Sequence, residues 1–432
     1  MRHFFLGFLA ILATSAFAET VLYKAAKIHV VSGPEISPGQ MLVKDERIVS
    51  VGKKLKVPKG GKVIDLGDLS LYPGLIAAPT SLGLTEINAV RATRDDREVG
   101  DYTTDVEAWV SVNPDSELIP VARANGVAHA LVIPMGGRIS GVSGLLRLHG
   151  WGVEEMTVDK ASCLHIWWPG MSLDVRPKEQ LSDPSKRKSL DDQDKARRLQ
   201  VTAIDEFFDD AEAYAKSKAS KGPDFAVVPA WEAVLPVLKK HIPVMIHADE
   251  TRQIKTAVAW VKQRGYKAIL AGGRDAWQVA ELLAKEKIPL IYHHVFTLPA
   301  HDYVPHDVHF RTPGMLVKAG VKIAIGLRPG AWSASNLRNL PYHAAQAAAN
   351  GLPEREAIAS ITLRPAEILG VADRLGSLAA KKEATFIAVD GDLLDLRAQV
   401  KRMWIAGEEV SLESRHVRLY EKYRNRPKVN LK

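Results

Sequence analysis

The sequence predicts an α/β protein: a TIM-type (β/α)8 barrel with a small β-sandwich built jointly from the N- and C-terminal segments. Three observations lead there. Short strand-and-turn segments stand at both ends of the chain. Between them, near-continuous apolar runs alternate with amphipathic helical patterns, the signature of a parallel sheet covered on both faces. Eight such runs within roughly 300 residues suit a closed barrel better than an open doubly wound sheet.

The elements follow in order. Residues 1–18, MRHFFLGFLAILATSAFA, have the layout of an export signal: basic Arg2, an apolar run from Phe4 to Ala13 too short to span a bilayer, and Ala16-Phe17-Ala18 in the small-x-small form that signal peptidase accepts. The expectation is cleavage after Ala18 and a periplasmic or secreted chain. No later apolar run approaches ~18 residues, so no transmembrane anchor is expected. Residues 19–68 carry VLYKAAKIHVVSG, MLVKDERIVSVG and KVIDLGDLSL, which read as the first part of the sandwich. The barrel is expected over 69–372, with strands at 69–78, 128–134, 144–149, 164–169, 244–249, 267–273, 288–294 and 321–326. Patterns such as TRQIKTAVAWVKQRG and DAWQVAELLAKEK supply its helices, and the mixed-charge stretch 176–198 reads as a solvated loop entering a helix. Residues 373–412, including ATFIAVDGDLLDLRAQVKRMWIAGEEV, complete the sandwich, and 413–432 form a basic tail.

Composition narrows the partners. Cys163 is the only cysteine, so no intrachain disulfide can form and stability comes from packing, for which 46% hydrophobic residues suffice. Of the formal charge of +8, most lies at 415–432, where seven Lys and Arg face only Glu421. The body is close to neutral. No nucleic-acid partner is expected, and the tail reads as a solvated terminal helix. A small-molecule substrate or ligand is the expected partner, and oligomerisation is left open.

Three stretches carry a family resemblance: PGLI at 73–76 after a β module, IHADE at 246–250, and ASITLRPAEILGVADRLGSLAAKKEATFIAVDGD at 359–392. Together they resemble the amidohydrolase superfamily, and within it the imidazolonepropionase-like periplasmic branch, from about Val21 to Val410. The resemblance implies a first barrel strand ending in a His-x-His pair that binds a divalent metal. Residues i and i+2 of a strand share a face, so both would enter the mouth. Here those positions hold Pro79 and Ser81, and the acidic residue usual two places earlier is Ala77. The fourth strand lacks the bridging lysine, Lys160 lying too early and His165 inside the strand. Gly272-Gly273 stand where a histidine is common, and Leu327-Arg328-Pro329 where the family has its aspartate. Most metal-ligand positions are therefore replaced, and only His247 matches one.

The candidate site follows from these positions. His247 is the expected metal ligand or acid–base group, and His294 is the second candidate ligand. Alternation allows only one of His293 and His294 to face the axis. Arg328 and Glu86 join His247 as candidate catalytic residues, and Ser81, Arg91 and His293 as candidate substrate contacts. An arginine at 328 disfavours a cation and favours a carboxylate or other anion. His301, His306 and His309 in HDYVPHDVH offer either a loop zinc site or a polar lid. The glycines of MGGRISGVSGLL (135–146) suit an anion cradle or a hairpin equally, and Cys163 beside Leu164 reads as core. No G-x-S-x-G, H-E-x-x-H or P-loop motif is present. The expected activity is hydrolysis of the C–N bond of an amide or cyclic amide, with one divalent metal (zinc) or none. The alternative is a barrel that has lost hydrolysis and binds a small anionic ligand or an envelope protein without metal.

Overall fold

Alternating apolar side chains from Thr20 onward pair into a sheet. The computed structural model describes residues 19–183, 185, 187–220 and 225–427; the expected export signal lies outside them. β1 (Thr20–Ala25), β2 (Lys27–Ile28), β3 (Gly39–Lys44), β4 (Arg47–Gly52), β5 (Lys62–Asp65) and β6 (Ser70–Pro73) follow one another. β3 pairs antiparallel with both β1 and β4, and β5 lies parallel to β1, giving the order β4-β3-β1-β5.

The run 69–78, expected as one barrel strand, is two. Ser70–Pro73 belongs to the sandwich, and only after Gly74 does β7 (Leu75–Thr80) enter the barrel. The chain passes here between Ala128 of the barrel and Thr385 of the sandwich. A β-carbon at Gly74 would lie 2.6 Å from the Ala128 Cβ and 2.7 Å from the Thr385 Cγ2, so the crossing requires glycine.

The barrel continues with β8 (Val127–Val132), β9 (Ile139–Arg147), β10 (Thr157–Trp167), β11 (Val244–Ala248), β12 (Ala268–Gly272), β13 (Leu290–Tyr292) and β14 (Ile323–Ile325), adjacent in chain order. The third strand thus begins earlier than the expected 144–149. It also runs antiparallel to β8 and β10, a departure from the all-parallel expectation; the other neighbours are parallel. Residues 133–138 are too few for the crossover of about a dozen that a parallel return needs, so the glycine-rich segment makes a hairpin. At the seam between the last and first strands, a β-carbon on Gly326 would collide with the Ala78 carbonyl oxygen, so the two ends of the sheet meet closely. The result is a nearly closed eight-stranded TIM-type barrel.

Inside it pack Ile76, Leu131, Leu145, Cys163, Met245, Ile269 and Ile291. Burial pushes the Cys163 thiol well above its ordinary range, which keeps it inert. Outside, the helix Thr251–Arg264 turns Ile254, Ala257, Val258 and Val261 to the sheet and starts on a capping box between Glu250 and Gln253. The charged stretch 176–198 does lead into a helix, Leu190–Ala219, capped by Ser189 and buried through Ile204, Phe208 and Ala211. On β8, His129 is 1% exposed, with its Nε2 3.7 Å from Glu383 Oε1.

β15 (Phe386–Asp390), β16 (Gln399–Ile405) and β17 (Glu408–Val410) return to the N-terminal module. β15 pairs with β6, Ile387 opposite Tyr72, in a sheet of order β17-β16-β15-β6-β2. Tyr23, Phe386 and Trp404 lock the two sheets together, with ring centroids 4.6–5.2 Å apart. The sandwich core therefore draws on both chain ends. The C-terminal helix Arg415–Arg424 lies on the surface, tied to the barrel by Arg418 and Glu117 at 3.1 Å. Among the described residues, no helix is long and apolar enough to cross a membrane.

Candidate functional site

Period-two alternation decides which side chains reach the C-terminal mouth. Cys163 and Met245 face the barrel interior, so His165 and Trp167 on β10 and His247 on β11 share that direction, and Trp167 stands in register with His247. His293 follows Ile291 on the same face. Trp167, His247, Asp249, Gln253, His293, His294 and Arg328 are among the residues around a cavity of about 190 Å³. It is smaller than the roughly 300–1,000 Å³ of drug-sized sites and suits a compact ligand.

Inside the cavity the histidines are largely committed to neighbours. His165 Nδ1 and His247 Nε2 lie 2.9 Å apart, one donating and the other accepting. The Trp167 indole stacks on the His247 ring at 3.8 Å and 12°, and is anchored by its Nε1–H donating to Ser140 Oγ at 3.0 Å. Burial holds His247 well below the usual imidazole range; His165 and Arg328 act in the same direction and Asp249 opposes them. Burial also takes His165 down to about 3. Both rings are thus neutral at pH 7.

A second pair sits beside the first. His294 Nε2 lies 2.7 Å from Asp249 Oδ1 and His294 Nδ1 3.2 Å from Thr297 Oγ1. Burial pushes the Asp249 carboxyl up, but its hydrogen bond with His294 and the backbone N–H of Arg274 outweigh it and hold Asp249 far below the carboxylate range. Gln253 fixes the turn: its Oε1 accepts from the Asp249 N–H at 2.8 Å and its amide donates to the Trp168 carbonyl at 2.7 Å. His293, 6% exposed, is kept neutral by burial first and by His294 and His247 next, and its Nε2 has no hydrogen-bond partner among the described residues. The exposed Arg328 guanidinium is the cation the cavity offers to a ligand.

Of the residues singled out in the sequence, His247, His293, His294 and Arg328 meet here. Ser81, Glu86 and Arg91 are not among the lining residues. Ser81 is fully buried, its hydroxyl donating to the Met135 sulfur at 3.4 Å. Glu86 is half-buried in the segment after β7, and Arg91 is exposed and bonded to the Arg94 carbonyl in its own turn. The histidines of the 301–309 loop diverge: His301 stacks on Tyr303, His306 is exposed, and His309 is buried with its Nδ1 3.1 Å from the Tyr292 hydroxyl. Trp167, Asp249, Gln253 and Thr297 were not singled out. Two-residue spacing from His165 on β10, and from His247 on the next strand, was the signal that pointed to the first two.

A divalent metal needs several free donors converging on one point. Pro79 has none and the Ser81 hydroxyl is engaged. His165 holds the His247 Nε2 while Trp167 covers the ring, and both His294 nitrogens are engaged. Among the described residues, no three His, Cys, Asp or Glu side chains gather in a metal-holding arrangement. The side chains as arranged do not fit the metal that the fold implies.

A nearly closed barrel with its ionisable groups gathered at the C-terminal strand ends, flanked by a sandwich from both chain ends, is an enzyme-type TIM-barrel scaffold. Residues 141–410, more than half of the chain, match the amidohydrolase family, and the chain belongs to it. The amidohydrolase tasK of Hapsidospora irregularis is 22% identical over 415 residues, covering 85% of this chain and 39% of that protein, so the chain spans about two-fifths of that relative's length. An amidohydrolase from Thermotoga maritima MSB8 superposes with a TM-score of 0.79 at 25% identity, over 90% of this chain and 99% of its own. A zinc-bound adenosine deaminase from Xanthomonas campestris (TM-score 0.50, 17% identity, 90% and 92% coverage) shares the fold alone.

Proposed function

We propose that the barrel mouth binds a small ligand bearing a carboxylate next to an amide or cyclic amide, with Arg328 taking the anion and His293 Nε2 a ligand N–H. The observation that carries this reading is that exposed Arg328 and His293, whose buried Nε2 has no partner among the described residues, line the same small cavity. A neutral imidazole accepts a donor without a charge penalty, and a guanidinium matches a carboxylate in two parallel bonds. The amide part of the ligand is the class that amidohydrolases process. The N-terminal residue order supports a periplasmic or secreted location for this work.

A second reading, hydrolysis of that ligand's C–N bond, is favoured by the Asp249–His294 pair. A carboxylate that orients an imidazole is half of what a general base needs, and His294 becomes one when a water replaces the Thr297 hydroxyl at its Nδ1. The two readings separate in one set of measurements on the purified protein: metal content after mild dialysis, calorimetric binding of L-pyroglutamate and of its carboxamide, and release of glutamate from pyroglutamate. Binding predicts pyroglutamate held in preference to its carboxamide, no turnover, and Arg328→Ala weakening pyroglutamate by about 1.5–3 kcal/mol. Turnover that disappears in Asp249→Asn makes the protein a hydrolase. Equal affinity for the acid and its carboxamide removes the role given to Arg328.

A further inference from the structure

A larger cavity, about 390 Å³, opens where the sandwich meets the barrel helix Glu354–Ser360, and it shares no lining residue with the mouth. On the sandwich side stands His29, 6% exposed, its ring stacked on Tyr72 at 4.0 Å and 11°. Its Nδ1 is 2.6 Å from Glu35 Oε1, and Glu35 also meets Lys27 at 3.3 Å. A carboxylate at Nδ1 sets the tautomer: Nδ1–H donates, so Nε2 of the neutral ring is an acceptor. Burial favours that neutral ring more than Glu35 opposes it. Nothing among the described residues donates to Nε2, so an oriented and nearly buried acceptor faces the cavity.

The opposite wall presents Glu354 and Arg355. Neither forms an ion pair among the described residues, and the one side-chain hydrogen bond of Arg355 is a 3.4 Å contact to the Val31 carbonyl. Val31 itself is held at a φ of 68°, a left-handed conformation that a β-branched residue rarely adopts. With Pro34 and Ile358 it forms the apolar part of the lining. A simple anion would leave Glu354 and the His29 acceptor unanswered, and a simple cation would leave Arg355 so. Opposite charges side by side call for a ligand that carries both.

We propose that this cavity binds a free α-amino acid with an apolar side chain, its ammonium donating to His29 Nε2 and pairing with Glu354, its carboxylate pairing with Arg355, and its side chain lying against Val31, Pro34 and Ile358. Calorimetry on the full mature chain tests this with three probes. L-leucine carries both charges, 4-methylpentanoate lacks the ammonium, and L-leucinol lacks the carboxylate. Leucine should bind at one site and each analogue at least ~10-fold more weakly, the loss of one charge-assisted contact. Arg355→Ala, an exposed change that leaves the core intact, should erase the preference for leucine over leucinol. His29→Gln should weaken leucine by a similar factor. Arg328→Ala at the mouth should leave leucine affinity unchanged. The proposal is overturned by absence of leucine binding at about 10 mM, a concentration that saturates any site of millimolar affinity, by equal binding of the three probes, or by an Arg355→Ala variant that binds as the parent does. A loss of leucine binding in Arg328→Ala would also overturn it, because the ligand would then belong to the mouth.

Discussion

His129 makes the protein's stability depend on pH. It lies on β8, 1% exposed, with both ring nitrogens lacking hydrogen-bond partners among the described residues. Burial lowers it to about 4; Glu383 opposes, while Arg147 and Arg374 act with burial. In the unfolded chain the same imidazole titrates near 6.5. Between those values the unfolded chain binds a proton that the folded one refuses. The stability contributed by neutral His129 is therefore complete above about pH 6.5 and is lost as pH falls toward 4. At pH 5 the loss is about 1.5 pH units at 1.36 kcal/mol each, or about 2 kcal/mol, an order-of-magnitude figure. His129→Leu keeps the volume and removes the titration. Urea unfolding of the parent and the variant, followed by tryptophan fluorescence at pH 7, 6 and 5, isolates this term because every other group titrates in both. The gap between parent and variant should shift by about 2 kcal/mol in the variant's favour from pH 7 to pH 5. Parallel curves over that range would refute the reasoning and mean that the folded protein protonates His129 as readily as the unfolded chain.

The remaining predictions test the scaffold and its processing. Trp404 is 1% exposed between Tyr23 and Phe386, so Trp404→Ala should cost about 3–5 kcal/mol and lower the thermal midpoint. A change within 1 kcal/mol would mean that the two chain ends do not share a core. Gly326→Ala drives a methyl into the Ala78 carbonyl at the barrel seam and should destabilise by at least about 1–3 kcal/mol, read as a lower urea midpoint; an unshifted midpoint would show that the seam is open. Expressed in a bacterium, the mature protein should begin at Glu19 by intact mass of a periplasmic extract, and full-length chain recovered from the cytosol would count against export.

Much of the architecture was legible because it rests on local rules. The residue order in KAILAGG and IPLIYHH, with TRQIKTAVAWVKQRG between strands, specifies buried strands and one-faced helices before any partner is known. The strand-and-turn character of both ends pointed to a composite sandwich, and the expectation that Pro79, Ser81 and Gly272 supply no metal ligand rests on side-chain chemistry alone. Tertiary structure decided the rest, since each remaining feature depends on residues far apart in the chain. That LYPGLI changes sheets at Gly74 follows from the approach of Ala128 and Thr385. That β9 runs backwards follows from what a short connection can span. The site was half visible. His247, His293, His294 and Arg328 could be placed at strand ends by counting, but not what each would face. His165 reaches His247 across 82 residues and Asp249 reaches His294 across 45. These contacts, with the burial that keeps His165, His247 and His293 neutral, exist only once the barrel has closed.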